Sequence, residues 1–293
     1  MILGQTATGK SDLAVKLAKK INGEIISSDS RQVYKGLDIG TGKITKKEMG
    51  GVPHYLLDVE SPKNQFNVAE YKKLAEEKIE VILKNEKVPI ICGGTGFYIQ
   101  SIVDNVVYPE VPPNFNLRAK LSKLSAEKLF GMLKKIDPER AKNIEAKNPV
   151  RLIRAIEIAK ALGKVPVFGR RTSKHRILQI GIKLPDEVLK ERIYKRLISR
   201  IKEGMILEAK KLHRNGLSWK RMNELGLEYR YLALYLQKKL NKKEMIDQLN
   251  TSIWHYAKRQ WTWFKRDKKI IWINPFKKSD LKKLETLVKK FLS

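Results

Sequence analysis

"GQTATGKS", Gly4 to Ser11, follows only Met1, Ile2 and Leu3 in a chain of 293 residues, and its reading decides how the rest is understood. It fits the pattern GxxxxGK[ST] at every fixed position, through Gly4, Gly9, Lys10 and Ser11. At average residue usage, a chance match in a chain this long is roughly one in a hundred. The pattern has a physical reason. Glycines let successive backbone N–H groups turn toward an anion, the N-terminus of the following helix adds its dipole, the lysine adds a point charge, and the serine hydroxyl can ligate Mg²⁺. The whole loop (Gly4, Gln5, Thr6, Ala7, Thr8, Gly9, Lys10 and Ser11) is therefore a candidate phosphate-binding site. Taken alone it suggests a nucleotide, with ATP as the first candidate.

The flanking pattern predicts an α/β fold. "SDLAVKLAKKI" (Ser11 to Ile21) repeats apolar residues at helical spacing, and "GEIISSDS" (Gly23 to Ser30) is a β-branched run ending in polar residues. A second amphipathic helix, "NVAEYKKLAEEKIEVILKN", leads into the buried strand of "KVPIICGGTG". Alternation of this kind implies a mostly parallel sheet covered on both faces. The prolines of "VVYPEVPPNFNLR" mark a linker, after which only helical periodicity is found as far as Arg171. "RILQIGIKL" (Arg176 to Leu184) returns to strand character, long helices follow, and "KIIWIN" offers a late strand. The expected architecture is a P-loop NTPase-like sheet with an inserted all-helical domain and a helical C-terminal region. Its parts are a first core segment over 1–113, a helical insertion over 114–173, and a second core segment with C-terminal helices over 174–293.

Lys and Arg number 61 against 31 Asp and Glu, a net charge of +30 spread along the chain. Such a balance favours a polyanionic partner, because phosphates neutralised by Lys and Arg release their condensed counterions; a Lys-rich proteome is the plainer alternative. Cys92 is the only cysteine, which excludes a disulfide framework or thiolate zinc site within one chain. No apolar run reaches the ~20 residues of a membrane span, and the early loop leaves no room for a signal peptide, so a cytoplasmic protein is expected. No feature demands a protein partner, and a monomer is the simplest expectation.

In open parallel sheets, ligands bind beyond the carboxyl ends of the strands. Three such ends carry "GQTATGKS", "SSDSRQVY" and "GGTGFY", so their residues should meet in one crevice. Asp29 stands where a carboxylate could act as a base, and equally where a turn or helix cap needs one. Gln32 and Thr95 offer hydrogen bonds suited to a base edge or a hydroxyl. A P-loop NTPase normally ends a central strand in an acid that holds Mg²⁺; the "VPIIC" strand ends in Gly93 and Gly94. "WHYAKRQWTWFKR" could bind RNA through Lys258, Arg259, Lys265 and Arg266, while Trp254, Trp261 and Phe264 recur at a spacing that also suits a core. Arg151 and Arg154 of "VRLIR" share a helix face, as a phosphate pair or as a solvated face. His54, His175, His213 and His255 show no metal-ligand spacing.

Six segments in order resemble the bacterial tRNA dimethylallyltransferases: "GQTATGKSDLAVKLA", "IISSDSRQVYKGLDIGTGK", "GVPHYLLDV", "VPIICGGTGFYI", "DPERAKNIEAKNPVRLIRAIEI" and "YAKRQWTWFKR". The resemblance covers nearly the whole chain. Two departures are visible: Gln5 replaces the usual Pro, and "LGLEYRYLALYL" replaces the usual Gly-Tyr-Lys/Arg-Glu stretch. The resemblance implies prenyl transfer from dimethylallyl diphosphate to N6 of the adenosine just 3′ of the anticodon. It implies a diphosphate on Thr6 to Ser11, Mg²⁺ at Ser11, and catalytic roles for Lys10, Ser11, Asp29 and Thr95, with Asp29 taking the N6 proton. It further implies tRNA contacts from Asp29, Ser30, Arg31, Gln32, Thr95, Arg118, Val150, Arg151, Leu152, Ile153 and Arg154, to the anticodon stem-loop. The alternatives are a P-loop small-molecule kinase and an adenylate isopentenyltransferase acting on free nucleotides.

Overall fold

A computed structural model describes residues 1–166 and 173–293. The closing residues of the expected helical insertion, 167–172, lie outside the described residues. The chain divides into two compact units, Met1–Val103 with Ser173–Ser293, and Asp104–Thr172.

In the larger unit the chain runs β1 (Ile2–Gly4), α1 (Lys10–Lys20), β2 (Gly23–Ser28), α2 (Lys46–Met49), β3 (His54–Tyr55), α3 (Val68–Lys84), β4 (Val88–Gly93) and α4 (Gly96–Val103). The smaller unit holds α5 (Phe115–Leu121), α6 (Ala126–Ile136), α7 (Pro138–Lys142) and α8 (Pro149–Leu162). The larger unit resumes with β5 (Ile180–Ile182), α9 (Asp186–Lys202), α10 (Met205–Arg214), α11 (Trp219–Leu225), α12 (Leu227–Leu236), α13 (Lys242–Phe264), β6 (Ile271–Ile273) and α14 (Lys278–Leu292).

Among the described residues, six strands form one parallel sheet in the order β3-β2-β4-β1-β5-β6. Period-2 alternation sorts its side chains between two cores. Ile2, Ile25 and Ile90 pack with Leu13, Ala14 and Ala18 of α1 and with Leu284 and Val288 of α14. Their neighbours Ile26 and Ile91 pack with Tyr71, Ala75 and Ile79 of α3 and with Tyr98 and Ile102 of α4. Both faces are covered, as the alternating pattern predicted. β1 has only three residues yet lies in the middle of the sheet, supported on each side by β4 and β5. β3, two residues long, was not foreseen from periodicity, which needs a longer run to register.

Strand register sets the functional edge. Leu3 and Ser28 both pair with Gly93, so the carboxyl ends of β1, β2 and β4 lie level and adjacent. The smaller unit has its own core, in which Leu129, Leu133, Leu152 and Ile156 are fully buried.

Candidate active site

The loop after β1 turns through Ala7 at φ 61° and Gly9 at φ 89° before α1 begins. No side chain caps α1, so its first N–H groups are left for an anion. Gly4 serves the sheet instead. A Cβ there would lie 2.7 Å from the Ile182 carbonyl oxygen, so only glycine lets β1 and β5 approach.

The eight loop residues divide by role. Ala7, Gly9, Lys10 and Ser11 line a cavity of about 380 Å³. The others hold the loop in shape. Gln5 Nε2 donates to the Ala257 carbonyl (3.1 Å), Thr8 Oγ1 donates to the Gln5 carbonyl (2.8 Å), and the Thr6 N–H donates to Gln260 Oε1 (2.8 Å). The departure from Pro at position 5 thus supplies an amide that bolts the loop to α13. Lys10 Nζ donates to the Gln5 carbonyl at 2.5 Å, and burial lowers its ammonium pKa to about 8.

Three cations that motif reading missed complete the cavity: Arg192, Lys195 and Arg196, all on α9. Arg192 Nε donates to the Ala7 carbonyl (2.8 Å), and Arg196 Nη2 to the Gly42 carbonyl (3.3 Å). Burial, with Arg200 next in effect, lowers the Arg196 pKa to about 10, so it remains charged at neutral pH. With Lys10, the cavity presents four cations against the carboxylates of Asp12 and Glu48. The available signal was the recurrence of arginine at 192, 196 and 200, one stripe along α9.

Arg200 anchors the loop between β2 and α2. Its guanidinium donates to the Gly40 and Thr41 carbonyls at 3.1 and 3.2 Å. The Glu208 carboxylate accepts from the N–H groups of Asp38, Ile39 and Gly40 (2.9, 2.7 and 3.0 Å) and from the Tyr229 hydroxyl (2.8 Å). The atypical "LGLEYRY" stretch meets this assembly directly. Glu228 lies 3.5 Å from Arg200, and burial raises its carboxyl pKa.

Asp29 follows β2. Its Oδ1 accepts from the Arg31 N–H at 2.8 Å and more weakly from that of Gln32 at 3.4 Å. The turn-capping role is therefore real, and it leaves Oδ2 without a hydrogen bond among the described residues. Its charge acts on Lys10, Arg196, Glu228 and Tyr256, which places it beside the cationic cavity. Thr95 Oγ1 accepts from the Ser30 N–H (2.9 Å), joining the ends of β4 and β2. Gln32 Nε2 donates to the Gly42 carbonyl at 3.3 Å, and the Arg31 guanidinium lies over Gly226 at 3.6 Å from where a Cβ would stand. Lys10, Ser11, Asp29 to Gln32 and Thr95 thus belong to one edge of the sheet.

Ser11 is exposed at the start of α1, and its hydroxyl has no hydrogen-bond partner among the described residues. No cluster of three or more His, Cys, Asp or Glu suited to a metal occurs among those residues. Of the usual P-loop donors to Mg²⁺, the Ser11 hydroxyl is present while Gly93 and Gly94 stand where the strand-end acid would be, so a bound ion would take its remaining oxygens from phosphates and water.

The other predicted contacts lie in the smaller unit. Arg118 forms a fork on the buried Glu157, with Nε to Oε1 at 2.9 Å and Nη2 to Oε2 at 2.8 Å. Arg154 also donates to Glu157, and to the Val111 carbonyl at 2.9 Å. Although burial opposes the charged form of Glu157, these hydrogen bonds lower its pKa to about 2. Arg151 is exposed and pairs with the exposed Glu145 at 3.1 Å. Leu152 is wholly buried in the core, Ile153 packs at its margin, and Val150 is 77% exposed. The two arginines of "VRLIR" therefore differ: one is bound to a buried carboxylate, the other faces solvent.

In the C-terminal aromatic stretch, Phe264 is core. Trp254 and Trp261 are half-buried under lysine ammoniums, Lys190 lying 5.1 Å from the first ring and Lys183 lying 4.4 Å from the second. No helix of the described residues is long and apolar enough to cross a membrane.

Comparison with known proteins agrees with this layout. The chain is 44% identical over 274 residues to "tRNA dimethylallyltransferase 2" of Treponema denticola, covering 92% of each protein. Its fold matches the crystal structure of the full-length tRNA isopentenylpyrophosphate transferase of Bacillus halodurans, with TM-score 0.74, 35% identity, and coverage of 99% of this chain and 95% of that one. A eukaryotic dimethylallyltransferase, captured in crystallographic snapshots acting on tRNA, matches with TM-score 0.74 and 25% identity over 90% of this chain and 68% of its own. Residues 32–267 match the family described as IPP transferase, and the chain belongs to that family.

Proposed function

We propose that this protein transfers a dimethylallyl group from dimethylallyl diphosphate to N6 of the adenosine 3′-adjacent to the anticodon of tRNA, releasing diphosphate. The observation that carries the reading is the combination of a four-cation P-loop cavity with Asp29 at the end of β2, on the same edge of the sheet with β4 between, in a member of this family. An adenine amine is a weak nucleophile. The enzyme must hold it in line, remove its proton and stabilise the departing anion. Lys10, Arg192 and Arg196 supply the charge for the anion. Ser11 would hold Mg²⁺ against the diphosphate, where the ion would supply further neutralisation of the leaving group.

The chemistry balances without water or ATP. N6 attacks C1 of the dimethylallyl group, the C1–O bond breaks, and both of its electrons leave with the diphosphate. Asp29 takes one N6 proton, so the product is a neutral secondary amine. Reaching N6 requires taking the base out of its stack, at a cost of a few kcal/mol. Ser30, Arg31, Gln32 and Thr95, beside Asp29, are placed to receive the extruded nucleotide. The smaller unit, with Arg118 and residues 150–154, contributes further tRNA contacts, of which Arg151 and Val150 are the most exposed side chains and Arg118 and Arg154 are partly exposed.

The test is direct. The protein and Mg²⁺ are incubated with unmodified tRNA and either labelled dimethylallyl diphosphate or labelled ATP. Prenyl label should enter RNA while ATP is untouched; ATP consumption without prenyl incorporation would point to a kinase.

A further inference from the structure

Strand register brings the turn after β6 to the edge of the sheet that carries the P-loop. Gly4 pairs with Ile182 and Ile182 with Ile273, so β1, β5 and β6 end in one row. The chain leaves β6 as "NPFK", Asn274 to Lys277, before entering α14. This turn is fixed by its own hydrogen bonds. Asn274 Oδ1 accepts from the Phe276 N–H (3.0 Å), the Asn274 carbonyl accepts from the Lys277 N–H (3.0 Å), and the Asn274 N–H donates to Asp280 Oδ2 (2.7 Å).

The side chain set out by the turn is an apolar ring with no apolar surroundings. Phe276 is 62% exposed and belongs to none of the buried clusters of the described residues. What it covers is Arg192, whose Cζ lies 5.0 Å from the ring centroid. Arg192 is one of the four cations of the P-loop cavity. Its Nε donates to the Ala7 carbonyl, and a Cβ on Gly9 would stand 3.9 Å from its Nη2, so the guanidinium reaches from the P-loop turn to the ring. Its Nη1 and Nη2 have no hydrogen-bond or ion-pair partner among the described residues. An aromatic face attracts a guanidinium and restricts it while leaving its in-plane donors free, and those donors match the oxygens of a phosphate.

We propose that Phe276 is a positioning residue of the donor site: its ring, set by the turn between β6 and α14, holds the Arg192 guanidinium beside the P-loop so that the free N–H groups meet the diphosphate. The proposal rests on the reading above that this cavity holds the donor's diphosphate. It adds to that site a residue outside the stretch, 32–267, that matches the family.

Calorimetric titration of inorganic diphosphate with Mg²⁺ tests it without turnover. Phe276→Ala should weaken diphosphate binding about two- to fivefold, the usual size of an exposed cation–π contact, and Phe276→Trp should retain the wild-type affinity or exceed it. In an Arg192→Ala background, Phe276→Ala should change nothing, because the ring acts only through that guanidinium. The Michaelis constant for dimethylallyl diphosphate should rise by the same factor in Phe276→Ala, with tRNA affinity unchanged. Equal diphosphate affinity in Phe276→Ala and the wild type would overturn the proposal. So would a loss of the same size in the Arg192→Ala background, which would show that the ring acts by packing or on the ligand itself. A wild type that binds no diphosphate would overturn this proposal and the donor site together. Diphosphate binding with the expected pattern, but no prenyl transfer to tRNA, would count against the proposed reaction and leave Phe276 in its role.

Discussion

Gln260 and Thr6, 254 residues apart in the chain, share a 2.8 Å hydrogen bond in which the side chain of α13 accepts the P-loop N–H. Because the same amide donates to Gly94, Gln260→Leu would leave the buried Gly94 carbonyl unsatisfied, at about 1–3 kcal/mol, and the half-buried Thr6 N–H without its partner at a smaller cost. Urea denaturation should show the loss, and the Michaelis constant for the donor should rise. Gln260→Glu retains the acceptor for Thr6 and should retain more donor affinity than the leucine variant. Equal donor constants in both variants would show that the P-loop does not depend on this tether.

Lys10 gives the donor site a pH dependence. Burial lowers its pKa to about 8, so the ammonium is charged below that value and neutral above it. Attraction for a diphosphate is therefore complete below pH 8 and lost above it in the donor-free protein. The Michaelis constant for the donor should climb from about pH 8 upward, and Lys10→Ala should remove that dependence while raising the constant at all pH values. A Michaelis constant flat between pH 7 and 9.5 in the wild type would show that Lys10 does not hold the donor.

Arg192 and Arg196 predict a division of labour on one helix. Arg196→Ala removes a buried charge that also bonds Gly42, whereas Arg192→Ala removes a hydrogen bond to Ala7 at the cavity rim. Both should weaken donor use, Arg196→Ala by the larger factor, on the order of 100-fold in kcat/KM. tRNA affinity, measured by filter binding without donor, should change little in either.

The smaller unit depends on Glu157. Two guanidiniums and the Asn114 N–H meet this carboxylate, and its pKa falls from 4.5 to about 2. A lowered carboxylate pKa stabilises the fold above about pH 4.5, and that contribution fades as pH falls toward 2. Glu157→Gln should cost about 2 kcal/mol at neutral pH and flatten the acid limb of the stability curve. Arg118 and Arg154 would then act on tRNA only through the geometry that Glu157 gives them.

What could be read from the sequence was whatever is encoded locally. The P-loop is a contiguous motif, and α1, β2, α3 and β4 follow from periodicity in adjacent residues. The level alignment of Leu3, Ser28 and Gly93 follows from the general rule for parallel sheets. Long-range partners were not readable. Nothing in "VRLIR" shows that Arg154 is committed to Glu157 and Val111, or that Arg118, on another helix, shares that carboxylate. Arg192 and Arg196 were hidden because a cationic stripe on an amphipathic helix reads as a solvated face until the P-loop is packed against it. Gln260 sits in a segment conspicuous for Lys, Arg and Trp, where a neutral amide draws no notice. Glu228 and Tyr229, in the one atypical stretch, gain meaning only from Arg200 and Glu208.

Asp29 as the proton acceptor is the central claim, and Asn tests it cleanly. Asp29→Asn keeps the Oδ1 that accepts from Arg31 and Gln32, so the turn survives while the base is lost. The decisive measurement is single-turnover prenyl transfer to saturating tRNA with enzyme in excess over donor. The rate should fall by on the order of 100- to 10,000-fold, with donor and tRNA dissociation constants unchanged. A single-turnover rate equal to that of the wild type would contradict it.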